Sequence, residues 1–201
     1  MLKTPRPYFI NIGANDGVTD DPLYPFVRDF GWHGAVIEPL PEVFAALRRN
    51  YAGFEGITFI QAAVGAGNGR QTIYTGDIPQ AGSRGVSLHS SFSRDVLLRA
   101  TKWYPDLESR IVEREVPIVS FKTLLAQIAA PAIDVLKIDA EGYDLEILRG
   151  FDFSRQAPRL LVAEHCNLSR QDNIKMADIL LDQGYKLAMT GRDMLAYRQT
   201  R

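Results

Sequence analysis

The chain has 201 residues, 46% of them hydrophobic and 23% charged, with a formal net charge of -1. That apolar content suits one medium-sized globular domain with a substantial core, and the near-neutral balance gives no support for a nucleic-acid partner held through phosphates. The single cysteine, Cys166, excludes an intrachain disulfide framework and a cysteine-based zinc site, and no apolar run approaches the roughly 20 residues needed to cross a bilayer.

The first predicted element, Tyr8 to Ile12, is apolar and rich in β-branched and aromatic types, as a strand covered on both faces should be. It runs into Gly13-Ala14-Asn15-Asp16-Gly17, where glycines let the backbone turn and approach a ligand and Asn15 and Asp16 tolerate unusual dihedrals. Pro22 to Phe30 reads as a helix ended by Gly31. Gly34 to Pro39 is a short strand that ends on the carboxylate of Glu38, and Pro41 opens a second helix carrying Val43, Phe44 and Leu47. Ile57 to Ala63 is predicted as a third strand, Gly65 to Gly69 as a turn, and Arg70 to Thr75 as an antiparallel return.

From Gly76 to Ser93 the chain is rich in Gly and Ser and lacks periodicity, and compact domains rarely carry idle loops of that length. A helix over 94–104 follows, then a strand over Glu113 to Val119 and a helix over Phe121 to Ile128. Ile133 to Ile138 is a strongly apolar strand ending in Asp139-Ala140-Glu141-Gly142, and Asp144 to Arg149 is helical. Arg159 to Ala163 is a strand ending at Glu164-His165, and Asn173 to Gln183 is an amphipathic helix. Tyr185 to Met189 and Met194 to Tyr197 form a closing hairpin around Gly191-Arg192-Asp193. The alternation implies a single domain over 1–201: an α/β, doubly wound, mostly parallel sheet with helices on both faces, one antiparallel strand added at an edge by the hairpin, and an insertion over 76–110.

In such a sheet, ligands bind outside the carboxyl ends of the strands. Glu38 stands one βα unit after the glycine loop, where a carboxylate can accept hydrogen bonds from both hydroxyls of an adenosine ribose. Two ligands of suitable size carry that ribose, a nicotinamide dinucleotide and S-adenosylmethionine (SAM). Asn15 and Gly17 break the G-x-G-x-x-G pattern that a pyrophosphate requires, which favours the phosphate-free SAM. Asp139, Glu141, Glu164 and His165 should converge on the same rim, where the transferred group would lie. Strand ends also carry such residues as helix caps or solvated termini, and the convergence is what favours function.

The blocks Phe9-Ile10-Asn11-Ile12-Gly13-Ala14-Asn15-Asp16-Gly17, Val36-Ile37-Glu38-Pro39, Ala62-Ala63-Val64-Gly65 and Leu136-Lys137-Ile138-Asp139-Ala140-Glu141-Gly142-Tyr143-Asp144 stand in the order seen in FkbM-type methyltransferases, and the chain resembles that family over nearly its whole length. The resemblance implies a Rossmann-like class I methyltransferase fold, SAM as cofactor, and O-methylation of a sugar, glycan or polyketide-like small molecule. By position it implies that Asn11, Gly13, Asn15, Asp16 and Gly17 line the methionine part of SAM and that Glu38 holds the ribose. Gln61, Ala62 and Ala63 would border the adenine, and Asp139 would lie near the methionine amino group or the reaction centre. The Gly82-to-Ser93 loop, with Ser87, His89 and Ser90, is the expected lid or acceptor wall, together with Glu141. Members often carry a helical segment before the first strand, whereas Tyr8 stands close to Met1 here; a longer parent chain or a homo-oligomer would supply that cover.

Methyl transfer to an alcohol needs a base or a metal to take or acidify its proton. His165 is the leading base candidate because its ordinary pKa lies near neutrality. The minority option is magnesium held by Asp139, Glu164 and His165. A non-catalytic SAM-binding module and an NAD-dependent oxidoreductase are the alternatives, the latter lacking a substrate domain and a full glycine fingerprint. With no signal peptide or membrane span, a cytoplasmic location is the default expectation.

Overall fold

The computed structural model describes residues 6–76, 89–102, 104–129 and 132–198. Among these residues no helix is long and apolar enough to cross a membrane. The first half alternates β1 (Tyr8–Ile12), α1 (Tyr24–Phe30), β2 (His33–Ile37), α2 (Pro41–Asn50) and β3 (Ile57–Ile60). The second half runs through α4 (Phe121–Ile128), β8 (Val135–Ile138), α5 (Asp144–Arg149), β9 (Leu160–Glu164) and α6 (Arg170–Asp182), then β10 (Lys186–Met189) and β11 (Asp193–Tyr197). Between the halves lie β4 (Ala63–Gly65), β5 (Gly69–Gly76), β6 (His89–Ser91), α3 (Arg94–Leu98) and β7 (Ile111–Ser120).

A seven-stranded sheet takes the order β10-β11-β9-β8-β1-β2-β3. Neighbours from β3 through to β9 pair in parallel. The closing hairpin sits at one edge as expected; β11, antiparallel to β9, is the strand that docks, and β10 lies outside it. The central strands are apolar on both sides, and the period of two sorts them. Ile10 and Ile12 face a core completed by Leu124, Leu145, Leu148, Met176 and Leu180. Phe9 faces the opposite one, with Val27, Leu47 and Tyr51. Two helices start on hydroxyl caps: Ser120 Oγ accepts from the Thr123 amide and Ser169 Oγ from the Asp172 amide.

The third strand departs from expectation. It stops at Ile60, and Ala63–Gly65 is a separate strand in a second sheet of order β4-β7-β5-β6. β3 is the last strand of the main sheet, so the chain beyond it can leave and pair in parallel with β7 instead. The segment expected as an antiparallel return pairs with β7 as well, over Gly69 to Gly76. The expected helix over 94–104 is a five-residue helix followed by a 3-10 turn, and a further 3-10 turn precedes β7.

Candidate active site

Register builds the site. Ile12 pairs with Ile37 on one side and with Ile138 on the other, and Ile138 pairs with Ala163. The residues that follow, Gly13, Glu38, Asp139 and Glu164, therefore leave the sheet at one level, on its carboxyl edge. A cavity of about 380 Å³ opens there, lined by residues from β1, β8 and the second sheet and from the loops that follow β1, β2 and β8, a size suited to a small organic ligand. Of the residues singled out in the sequence, Gly13, Asn15, Glu38, Ala62, Ala63, Ser90, Asp139 and Glu141 line it.

Glu38 is 5% exposed. Its Oε2 accepts from the Asn15 amide at 3.2 Å and its Oε1 from the Leu40 amide at 3.0 Å. Burial pushes its carboxyl up to about 7, against the two amides that favour the ion. Each oxygen accepts one amide, which leaves lone-pair capacity toward the cavity.

Gly13 is required by its neighbour rather than by a ligand. It has φ +73, and a Cβ there would sit 1.8 Å from the Asp139 carbonyl oxygen. Gly17 likewise has φ +76 and packs against Tyr51 and Leu47 of the α2 region; it does not line the cavity. Nor does Asp16, whose carboxylate accepts from the Val18 and Thr19 amides and the Thr19 hydroxyl. Asn11 lies fully buried beneath the cavity, its Nδ2 donating to Asp21 Oδ2 at 3.0 Å. Gln61 is absent from the lining, because the chain turns away from the main sheet there.

Four side chains that the sequence reading passed over complete the site. Asp21 lines the cavity and also accepts from the Leu23 amide and the Tyr51 hydroxyl. Burial pushes its carboxyl up, and Lys137 pulls it back down. Lys137 is 5% exposed, and its Nζ stands 3.0 Å from Asp139 Oδ2. Burial alone would push this ammonium down, but the Asp139 and Asp21 carboxylates overrule it and hold it above the usual lysine value. Asp144 has no exposed surface, and its two oxygens accept from the Ala140 and Gly142 amides, which fixes the Asp139–Tyr143 turn. Burial raises its carboxyl well above the ordinary range, with the Glu164 and Asp139 charges adding to the effect. Arg192, from the β10–β11 turn, lines the cavity and donates to Glu164 Oε1 at 3.0 Å. Lys137 and Asp144 left a trace in the sequence, both inside the family block, and Lys137 also as a charge between Leu136 and Ile138 in an otherwise apolar strand.

The turn after β8 is strained and clamped. Glu141 has φ +48, uncommon for a residue with a side chain. Its carbonyl accepts from Ser91 Oγ at 2.7 Å and its Oε2 from Asn167 Nδ2 at 2.6 Å. The same Asn167 amide reaches Glu164 Oε2 at 2.8 Å. Asp139, Glu141 and Glu164 bring carboxylate oxygens within 4.8 Å of one another. Glu164, 1% exposed, has its carboxyl raised by burial and then by Glu141 and Asp139, against Arg192 and Asn167.

His165 stands apart from this group. It does not line the cavity, and its amide donates to the Arg192 carbonyl at 2.8 Å. Its Nε2 lies 3.1 Å from the Thr190 carbonyl, which can only accept, so that nitrogen carries the proton. The expected set of Asp139, Glu164 and His165 does not assemble: Glu141 occupies the third place. Lys137 and Arg192 already face two of these three carboxylates, so the chain supplies its own cations and the residues give a magnesium ion no clear seat. Ser87 lies outside the described residues, and of His89 only the backbone, in β6, is described. Of the expected 76–110 lid, Ser90 and Phe92 line the cavity, and the Phe92 ring stacks edge-on against Tyr143.

Residues 11–187 match the sequence profile described as the Methyltransferase FkbM domain. No curated protein sequence matches the chain with significance. Among solved structures, a methyltransferase FkbM from Methylobacillus flagellatus KT is similar, with a TM-score of 0.62 at 15% identity, over 96% of this chain and 44% of that one. A human methyltransferase 10 domain containing protein follows with a TM-score of 0.51 at 14% identity, over 97% of this chain and 72% of that one. At these identities the likeness is one of fold. This chain spans less than half of the FkbM structure it resembles.

Proposed function

The chain belongs to the FkbM family of methyltransferases, and on that premise we propose that it transfers a methyl group from SAM to a hydroxyl of a sugar, glycan or polyketide-like small molecule. The observation that carries the SAM reading is Glu38: a buried carboxylate, aimed by two backbone amides, at the strand end beside the glycine loop of a cavity of about 380 Å³. Its spare lone pairs suit the two vicinal hydroxyls of a ribose. Ala62 and Ala63 are small and buried and leave room for a flat base beside it. SAM supplies a methyl group already activated by its sulfonium, so the work of the protein is orientation and removal of the acceptor's proton.

For the proton we assign Glu141. It lines the cavity, Asn167 fixes its carboxylate, and its turn is held in a backbone conformation that costs energy and aims the side chain. His165 is reassigned as a latch that ties the β9 end to the hairpin turn. Glu141→Gln should keep SAM binding and lower turnover by about 10²–10⁴-fold, whereas His165→Ala should leave the pH profile of turnover unchanged. A rate that loses its pH dependence in His165→Ala returns the role of base to the histidine.

Calorimetric titration with SAM and with NAD tests the cofactor, with binding of SAM alone expected. A mass-shift screen of hydroxylated acceptors with SAM then tests the reaction. The gain of one methyl on a neutral hydroxylated acceptor is the expected result, and methylation confined to amines or carbon acceptors would overturn the O-methyl reading.

A further inference from the structure

The end of β6 grips the turn that carries Glu141. Ser90 and Phe92 line the cavity, whereas Ser91 between them is 1% exposed and does not. The Ser91 hydroxyl accepts from the Ser93 amide at 3.1 Å and donates to the Glu141 carbonyl at 2.7 Å. The peptide that joins Glu141 to Gly142 is also held at its other end, where the Gly142 amide donates to Asp144 Oδ2 at 3.2 Å. This peptide lies between φ +48 at Glu141 and φ +94 at Gly142, and only the second of these residues is a glycine. A backbone so placed keeps its conformation only where its surroundings fix it. Two further contacts come from the same segment: the Phe92 ring lies 4.9 Å from that of Tyr143, and Val96 packs against Gly142. Ser91 itself pairs with Tyr74 of β5, so the donor is mounted on a sheet.

We propose that Ser91 is a positioning residue for Glu141: its hydroxyl fixes the peptide between Glu141 and Gly142 and so holds the Glu141 carboxylate in place for the acceptor's proton. The proposal rests on the assignment of Glu141 above and adds a residue that does not line the cavity. Asn167 aims the carboxylate from the loop after β9, and Ser91 aims the backbone beneath it from the second sheet. Without the hydroxyl the peptide is free to rotate, Glu141 relaxes toward a negative φ, and its side chain leaves the position that Asn167 meets. Ser90 and Phe92, the cavity-lining residues on either side of Ser91, thereby form one unit with the turn that takes the proton.

Hydrogen exchange on the full chain tests the clamp without an acceptor. The Ala140, Gly142 and Tyr143 amides are each hydrogen-bonded within the turn, and in Ser91→Ala they should exchange about fivefold faster or more, while the amides of β1 and β8 keep their rates. Unchanged exchange in the turn, or faster exchange throughout the molecule, overturns the proposal. Turnover then tests the route through Glu141, with SAM and the hydroxylated acceptor that gains a methyl in the mass-shift screen. Ser91→Ala should lower kcat about tenfold or more in the wild type, with SAM affinity kept within about twofold, and should change kcat by less than about twofold in Glu141→Gln. An equal loss in both backgrounds means that Ser91 acts apart from Glu141 and overturns the proposal, as does an unchanged kcat in the wild type. Should Ser91→Ala fail to fold, Ser91→Cys keeps a weaker donor in place and should show the same pattern at about threefold. Full activity in Glu141→Gln, or a screen with no methylated acceptor, removes the reading above and this proposal with it.

Discussion

In the proposed role, Glu38 serves the ligand while its burial makes the charged carboxylate costly to the fold. Its carboxyl is raised from 4.5 to about 7, mainly by burial, so the folded state holds a proton that the unfolded chain would release. The stability this contributes is complete below about pH 4.5 and is lost as the pH rises through about 7; across that window it amounts to roughly 3 kcal/mol at most. Ribose hydroxyls favour the ion, so SAM affinity should run the other way and rise through the same window. Calorimetry at pH 6 and pH 8 checks this, and tighter binding at pH 6 would contradict it. Glu38→Ala should weaken SAM by about 1.5–3 kcal/mol and flatten the pH dependence, since the charge-assisted acceptors are gone. Gly13 acts in the opposite sense, on the fold first. A Cβ at φ +73, 1.8 Å from the Asp139 carbonyl, would push the β1 and β8 loops apart. Gly13→Ala should therefore lower folding stability by at least about 3 kcal/mol as well as abolish binding. A Gly13→Ala protein that melts like the wild type but fails to bind would return this glycine to the ligand.

The element that matters most beyond the parallel core is the closing hairpin. β11 docks antiparallel to β9 with Asp193 opposite Glu164, and this register delivers Arg192 to the cavity. Three contacts hold the turn: the His165 amide to the Arg192 carbonyl, His165 Nε2 to the Thr190 carbonyl, and Arg192 to Glu164. Glu164 is buried, and Arg192 is its cation, so removing the arginine leaves a buried carboxylate beside Glu141 and Asp139. Arg192→Ala should cost about 1–2 kcal/mol at pH 8, discounted for the arginine's own exposure. The cost should shrink toward pH 5, because Glu164, whose carboxyl is already raised, can then take a proton. Melting curves at the two pH values check this, and an equal loss at both would show that the arginine acts by packing alone.

At the scale of the molecule, two sheets meet at one cavity. The main sheet supplies Gly13, Glu38 and Asp139, and the second sheet with its connections supplies Ala63, Ile73 and Ser90. Ligand binding should therefore couple to global stability. With SAM at a hundredfold its Kd, unfolding should cost about 2.7 kcal/mol more, seen as a higher melting temperature that NAD does not reproduce. A melting temperature unmoved by saturating SAM would separate the cavity from the cofactor.

The amino-acid order by itself determined the strand-and-helix alternation, because long apolar runs such as Ile133 to Ile138 and periodic helices such as Phe121 to Ile128 leave few other ways to bury their surface. It also placed Gly13, Glu38 and Asp139 at strand ends, since each directly follows its run, and the family blocks follow the same order. Tertiary structure alone decided the rest. The end of β3 depended on where it lay in the sheet: as the outermost strand it let Ala63–Gly65 pair with β7, which no local signal records. Asp21 and Arg192 entered the site through contacts that span long stretches of chain, and the charge balance of Asp21 with Lys137 exists only once those two meet. His165 shows the same limit from the other side. It follows Glu164 directly, yet at a strand end successive side chains point opposite ways, and this one is taken up by the Thr190 carbonyl.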